Sequence, residues 1–321
     1  MFVLKGIFEI GNYKFDVVNQ IEINHSVEQI TDTAIIKMPS KFYVKENGNL
    51  LSTEDAIKKG DPVSITLAYE GIFEEQEFTG YVDRIKTSTP MEIHCVDATW
   101  LLKRKGCTFS KSNTNLREVL QSIVNGTAIK LAKNIPDVKF DKFTFKDKNG
   151  IQALEYIKEQ TKLSIYLNDK GELFCGPQQV NNVNQLVEYD LNKSIVENNL
   201  EFRVEEDKKV LVVYEATTKD NQKIRYATGD QDGEKIEIKT KNITDLDTLK
   251  KLADDHLRNI KYIGYDGDLT SFLVPYATCG MAVKIVDQRY PHREGKYFIK
   301  KVVTTFGTNG ARRTVSISNK L

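Results

Sequence analysis

Apolar residues occupy every second position in several short stretches of this chain, and this period constrains the fold more than any other feature. Val63, Ile65, Leu67 and Tyr69 would lie on one face of an extended backbone, directly after the turn residues Gly60–Pro62. Similar patterns occupy residues 20–24, 33–38, 78–85 and 91–97. Short strands separated by turns predict a small antiparallel barrel or sandwich for residues 1–105.

The period changes to that of a helix after residue 105. Apolar residues from Leu116 to Val124 share one helix face, and Asn115 followed by Glu118 resembles a capping box. A second helix is predicted to start at Asn149, and residues 163–175 read as a hairpin. Residues 106–180 are therefore predicted to form a small α+β insert domain.

Residues 181–321 return to the strand period, with one helix in their middle. Strand patterns occupy residues 208–216, 224–226, 235–239, 281–286, 297–306 and 313–318. An apolar stripe from Leu246 to Ile260 predicts a helix at about 245–262. No tandem repeat is evident, although both ends of the chain are rich in strands.

Charge argues against two broad classes of partner. The net charge of the whole chain is +1, which does not favour a general nucleic-acid binder. The three segments differ, with net charges of −4, +3 and +2 in chain order, which suits contacts between protein subunits. The most apolar short run, residues 210–214, is far shorter than a membrane helix, and the alternating first ten residues predict no signal peptide.

No arrangement of residues predicts catalysis or a bound metal. His94 and Cys95 are neighbours on a strand, so their side chains are expected on opposite faces. His256 lies in the apolar stripe of its helix and is expected to be packed and hydrogen-bonded. The acidic groups Glu74–Glu77, Asp230–Glu234 and Asp254–Asp255 are interpreted as solvated charge or a hairpin turn. We expect no enzyme activity, no cofactor and no metal.

Basic residues cluster near the end of the sequence. Residues 292–321 carry seven Lys and Arg side chains against Glu294 alone. Lys300, Lys301, Arg312 and Arg313 are the candidate residues of an assembly interface; protection of a strand edge is an alternative, and nucleic-acid contact is less favoured.

Several motifs resemble those of phage tail baseplate hub proteins of the late control protein D family. Residues 60–67, 78–85 and 93–102 (GDPVSITL, FTGYVDRI and IHCVDATWLL) resemble the first tube-like domain of that family. Residues 273–286, 295–302 and 310–317 resemble the end of its second tube-like domain. The resemblance implies a β-rich α+β fold with two tube-like antiparallel β-barrel domains, at 1–105 and 181–321, around the insert at 106–180.

The same resemblance implies a structural role in a virion tail baseplate that is assembled in the bacterial cytoplasm. Hub proteins of this kind form a homotrimer that joins the tail tube protein to the central spike protein, with the tape-measure protein inside and baseplate wedge proteins around it. Two alternatives stay open: a tail-associated peptidoglycan hydrolase, and a spike-type hub of a type VI-like secretion system. A glycan-binding module is a third, but Trp100, the single tryptophan, is expected in a core.

Overall fold

The computed structural model describes residues 3–43, 50–177, 186–193, 195–204, 209–217, 222–240, 243 and 245–321. Twenty-two strands and five α-helices follow one another along these residues. The first segment contains nine strands: β1 (Leu4–Ile10), β2 (Tyr13–Phe15), β3 (Gln20–Ser26), β4 (Thr33–Met38), β5 (Lys41–Tyr43), β6 (Leu50–Ser52), β7 (Pro62–Tyr69), β8 (Phe73–Lys86) and β9 (Met91–Val96). Two short helices accompany them: α1 (Thr53–Ala56) and α2 (Trp100–Lys103).

The middle segment alternates strands and helices. Its elements are β10 (Gly106–Asn115), α3 (Leu116–Val124), β11 (Lys139–Asn149), α4 (Gly150–Thr161), β12 (Ser164–Leu167) and β13 (Leu173–Gly176). The two predicted helices and the hairpin are confirmed, but the long antiparallel pair of β10 and β11 was not predicted. Asn149 makes the full capping box with Gln152, whereas the Glu118 carboxylate turns away from Asn115 toward Lys111 and Thr114.

The last segment is again rich in strands. Its elements are β14 (Leu186–Asp190), β15 (Ile195–Arg203), β16 (Val210–Thr217), β17 (Lys223–Gly229), β18 (Glu234–Thr240), α5 (Leu246–Ile260), β19 (Gly264–Ser271), β20 (Ala282–Val286), a 3-10 turn (Pro291–Arg293), β21 (Gly295–Gly307) and β22 (Gly310–Lys320). The predicted helix at 245–262 is confirmed. The predicted strands at 224–226, 281–286, 297–306 and 313–318 are confirmed as well. The start of the predicted strand 208–216 lies partly outside the described residues.

Strands from both ends of the chain join in one thirteen-stranded sheet. Its main path runs β15-β19-β22-β21-β3-β4-β9-β8-β7-β1-β2, with β20 on β21 and β14 on β20. Thirteen of the described strands therefore form one continuous sheet, and the described residues do not show the two separate closed barrels that we expected. The joint is the antiparallel pairing of β3 with β21, from Ser26 opposite Lys301 to Gln20 opposite Gly307.

The two parts of this sheet repeat one strand order. Number the six main strands of each part along the chain: β1, β3, β4, β7, β8, β9 in the first half-sheet and β14, β15, β19, β20, β21, β22 in the second. Both then lie in the spatial order 2-3-6-5-4-1. Strands 1 and 4 pair antiparallel in the first half-sheet and parallel in the second. The fold thus contains an internal repeat that the sequence does not reveal.

Four hydrophobic clusters fill the interior. The first half-sheet has its own core around Ile23, Ile65 and Ile93, and the second has one around Leu269, Val302 and Val315. The largest core joins α3, α4, β10 and β11 to β16, β18 and α5. Residues 210–260, which we expected to pack with the second tube-like domain, therefore share a core with the middle segment. A small cluster around Phe298 and Tyr166 lies between these parts.

Candidate functional site

A buried ion pair joins the two half-sheets. Arg313 on β22 and Glu77 on β8 are each about 1% exposed, and Arg313 Nη2 lies 2.6 Å from Glu77 Oε1 while its Nη1 lies 3.1 Å from Oε2. The guanidinium also donates to the carbonyl oxygens of Leu273 and Ala277, at 3.3 and 2.9 Å. This planar fork donates to four acceptor oxygens at once, more than the three donors of a lysine could serve.

A second polar network lies next to this pair. His25 Nδ1 lies 2.7 Å from Asp32 Oδ2, and Nε2 lies 2.9 Å from the carbonyl oxygen of Glu77. The Asp97 carboxylate accepts from the backbone N–H groups of Asp32 and Thr99, both at 2.9 Å. We call His25, Asp32, Glu77, Asp97 and Arg313 the junction cluster, because it links β3, β8, β9 and β22.

Burial and charge shift the pKa values of two groups in the junction cluster. Burial lowers the pKa of His25, but the charge and hydrogen bond of Asp32 and the contacts with Glu77 outweigh it and raise the pKa overall. Burial and the nearby Asp32 charge raise the pKa of Asp97 to about 7, against three hydrogen bonds that favour its charged form. Asp97 therefore titrates near neutral pH, and His25 holds its proton to a higher pH than an ordinary histidine.

A cavity of about 160 Å³ opens onto the junction cluster. His25, Asp32, Glu77 and Asp97 line it together with residues 167–171 and 276–279. No group of His, Cys, Asp and Glu among the residues that the structure describes is arranged to hold a metal ion. Every polar member of the junction cluster is bonded to another part of the same chain, so the arrangement fixes the relative position of strands and holds no exposed nucleophile.

The predicted basic cluster is divided by the fold. Lys300 is half-buried, with its Nζ 3.7 Å from Asp266, and Lys301 lies opposite Ser26 and Ser316 within the sheet. Arg312 stacks over the Phe272 ring at 4.9 Å. Arg313 is buried in the junction cluster, so it does not belong to a surface set. Lys301 and Arg313 have paired strands on both sides, so protection of a strand edge does not apply to these two. For Lys300 and Arg312 it stays a prediction.

The histidine and cysteine candidates pack against other side chains of the fold. Cys95 is buried, and burial raises the pKa of its thiol, while His94 points away and contacts Glu92 at 3.3 Å. His256 packs edge-on against Tyr214, whose hydroxyl lies 3.4 Å from its Nδ1. Burial lowers the pKa of His256. Both expectations, a packed His256 and opposite faces for His94 and Cys95, are confirmed.

The acidic candidates are also engaged. Asp230 accepts from Lys261 Nζ at 2.8 and 2.7 Å, and Asp232 pairs with Lys209. The turn that carries them does not close a hairpin, because β17 and β18 both pair with β16 and not with each other. Glu77, which we grouped with solvated acids, is the buried partner of Arg313. Glu77 and Arg313 are separated by 236 positions in the sequence, so no local pattern could indicate this pair.

Trp100 lies in the interior, as expected. It is 9% exposed, stacks on Tyr81 with ring centroids 5.0 Å apart, and lies under the Arg104 guanidinium at 4.9 Å. No helix in the described part of the chain is long and apolar enough to cross a membrane.

The two ends of the sheet are exposed. At one end, Val196, Glu197, Asn198 and Asn199 of β15 are all exposed. At the other, the rings of Tyr13, Phe15 and Phe42 form a cluster with centroid distances of 4.9 to 6.5 Å. Open strands of this kind are unusual unless another chain covers them.

Comparisons with known proteins support the fold. No family model and no curated protein matches the sequence. Among solved structures, the 43 kDa tail protein of prophage MuSo2 from Shewanella oneidensis is similar, with a TM-score of 0.69, 13% identity and 98% of each chain covered. A tail protein from Neisseria meningitidis matches with a TM-score of 0.69 and 12% identity over 98% of this chain and 96% of that one.

A third similar structure comes from a secretion machine. An E. coli component of the type VI secretion system, itself described as similar to bacteriophage T4 tail proteins, matches with a TM-score of 0.59 and 9% identity. The match covers 98% of this chain and 76% of that one. The chain therefore has the fold of phage tail proteins, in agreement with the resemblance found in its sequence.

Proposed function

We propose that this chain is a structural hub of the tail baseplate in a phage or a phage-like contractile injection system. Three copies form a ring in which two tube-like parts per chain, built on residues 1–105 and 181–321, give six similar units. The observation that carries this proposal is the repeated 2-3-6-5-4-1 strand order, because one chain with two similar units can adapt sixfold to threefold symmetry.

The proposed neighbours are the other proteins of the tail axis. The ring binds the tail tube protein on one face and the central spike protein on the other, with the tape-measure protein in the lumen and wedge proteins outside. Lys300, Lys301 and Arg312 are proposed to contribute to such contacts, without Arg313. The proposed location is the virion tail baseplate.

The proposed role involves no catalysis. The tail proteins to which the fold is similar support this, as do the engaged carboxylates and the buried thiols, whose pKa values are raised by burial. A zymogram on cell-wall material tests the alternative of a peptidoglycan hydrolase. Clearing that disappears when a single carboxylate is replaced would overturn the non-enzymatic proposal.

A spike-type hub of a type VI-like system is a second candidate. It is supported by similarity to chains of the Francisella PdpA–VgrG complex in its lidded and half-lidded forms, with TM-scores of 0.56 and 0.57. This chain covers only 52% and 57% of those longer chains. Co-expression with separate tail tube and spike proteins from the same locus distinguishes the two candidates, because a phage-type hub must bind a spike encoded as another chain.

The decisive experiment is assembly. We expect mass photometry of the purified chain to show a trimer whose fraction rises with concentration, and negative-stain images of the complex with spike protein to show rings. A chain that stays monomeric at high concentration, both alone and with spike and tube proteins, would contradict the proposal.

A further inference from the structure

The contact between the two half-sheets is made by strands with different positions in the repeat. Strand 2 of the first half-sheet, β3, pairs with strand 5 of the second, β21. The reciprocal strands are β15, which is strand 2 of the second half-sheet, and β8, which is strand 5 of the first. They lie seven strands apart in the order of the sheet and are not paired with each other among the described residues.

β15 has a free side in the described part of the chain. Its nine residues pair only with β19, and Val196–Asn199 and Glu201 are exposed. The backbone N–H of Leu200 donates to Asn198 Oδ1 at 3.1 Å, so a side chain of the same strand occupies this donor.

β8 has a matching free side. Its first part pairs with β7 up to Pro62 opposite Tyr81, and the backbone of Val82 bonds to Gly60 and Asp61. Beyond this point, Arg84, Ile85 and Lys86 pair with β9 alone among the described residues. In β21 the corresponding stretch beyond β20 is the one that accepts β3.

The repeat predicts which residues would lie opposite each other if β15 paired with β8. Val82 and Cys95 are a buried pair thirteen residues apart in the hairpin of β8 and β9, and Val302 and Val315 are such a pair in the hairpin of β21 and β22. Cys95 lies opposite Ala34, which lies opposite Ile23.

In the same way, Val315 lies opposite Leu269, which lies opposite Asn198. Asn198 therefore corresponds to Ile23. Ile23 lies opposite Thr304. Thr304 and Ile85 are counterparts, because their hairpin partners, Arg313 and Ile93, each lie two residues before Val315 and Cys95. Asn198 should therefore lie opposite Ile85.

We propose that β15 of one copy pairs antiparallel with the Arg84–Lys86 stretch of β8 in a second copy, in the register that β3 and β21 use within the chain. Asn199 then lies opposite Arg84, and Glu197 lies opposite Lys86, so unlike charges meet at the outermost pair. Ile85, now half-buried, becomes covered. The contact is head-to-tail and can close a ring. This inference rests on the proposed hub ring and identifies the surfaces that close it.

Cysteine cross-linking tests the register directly. The double variant Glu197→Cys with Lys86→Cys, treated with a short bis-maleimide, should give covalent dimers and trimers and no larger species on a denaturing gel. The four native cysteines are buried and do not compete. The matched control pairs Glu197→Cys with Lys146→Cys, whose position on β11 is 78% exposed and far from the proposed contact.

Charge exchange gives a second readout. Lys86→Glu places two acids opposite each other, and we expect roughly a fivefold weaker association at each interface. The double variant Lys86→Glu with Glu197→Lys should restore most of it. Rescue by the exchange is specific to a direct contact, because a merely destabilised strand would not recover.

The outcomes separate this inference from the proposed function. A wild-type trimer without cross-linking of the cysteine pair, or without rescue by charge exchange, overturns the assigned surfaces and leaves the hub proposal standing. A chain that never associates, alone or with spike and tube proteins, overturns both. Covalent trimers from the paired variant but not from the control support the inference.

Discussion

Replacing Arg313 by Met should destabilise the protein more than any surface substitution. The change leaves the Glu77 carboxylate buried without its partner, which costs about 3–5 kcal/mol. It also leaves the Leu273 and Ala277 carbonyl oxygens without their donor, at about 1 kcal/mol each. The expected loss in the free energy of unfolding is about 5–7 kcal/mol, a large part of the total stability of a typical domain.

Glu77→Gln should lower the free energy of unfolding by less, about 3 kcal/mol. The amide keeps one acceptor for the Arg313 guanidinium, and the hydrogen bonds from Arg313 to the Leu273 and Ala277 carbonyl oxygens remain. The double variant removes both charges together, so its loss should fall about 3 kcal/mol short of the sum of the two single losses. Lys284→Met is the matched control, since its pair with Glu188 is exposed and should contribute less than about 1 kcal/mol.

Urea unfolding followed by tryptophan fluorescence measures these differences. Trp100 is the single tryptophan, and it stacks on Tyr81 close to Asp97 of the junction cluster, so its emission reports on this region. If Arg313→Met does not fold, Arg313→Lys and Glu77→Gln still test the reasoning. Losses in the double variant that equal the sum of the single losses would refute it, because the two charges would then not interact.

Three further outcomes are expected. The raised pKa values of His25 and Asp97 mean that these two groups bind more protons in the folded state than in the unfolded state. The urea midpoint should therefore fall as pH rises from about 6.5 to 8, where the lowered pKa of His256 leaves that side chain largely neutral in both states; a midpoint that rises over this range would contradict the assigned shifts. Asn149→Ala removes the capping box of α4 and should cost about 1 kcal/mol in the same assay, and an unchanged midpoint would show that the cap does not contribute. Gly80→Ala should lower the free energy of unfolding by about 1–3 kcal/mol, because a Cβ there would lie 2.1 Å from the Val96 carbonyl oxygen. At Gly106 a Cβ has open space, so equal losses for Gly80→Ala and Gly106→Ala would contradict the geometry.

Strands with one buried face were predictable because burial imposes the two-residue period. β9 shows it in full and β7 shows it as far as Leu67, with alternate side chains buried along each. β15 was not predicted, because most of its side chains are exposed on both faces and no alternation results. The same holds for β10, where Ser110–Asn113 are all exposed. The three longer helices, α3, α4 and α5, were predictable from their apolar stripes and, for α3 and α4, from the caps Asn115 and Asn149, whereas the one-turn helices α1 and α2 were not predicted.

The junction cluster was beyond the reach of sequence reasoning. Glu77 lies among other acidic residues in the sequence, so it was predicted to be exposed to solvent. Arg313 lies among basic residues, so it was predicted to contribute to a surface contact. Only the pairing of β3 with β21 brings them together. The internal repeat was hidden for a related reason: the equivalent buried positions, such as Cys95 and Val315, share apolar character but no residue identity.

The pairing of β3 with β21 has a consequence during synthesis of the protein on the ribosome. Ser26 emerges from the ribosome early, but its partner Lys301 is made almost at the end of the chain. At roughly 5–20 residues per second, the β3 side stays uncovered for on the order of tens of seconds during every round of synthesis. Nascent chains on one messenger RNA therefore present to their neighbours a bare strand that the finished molecule never shows. A cell that makes this protein in quantity must keep those growing chains apart until their last hairpin is complete.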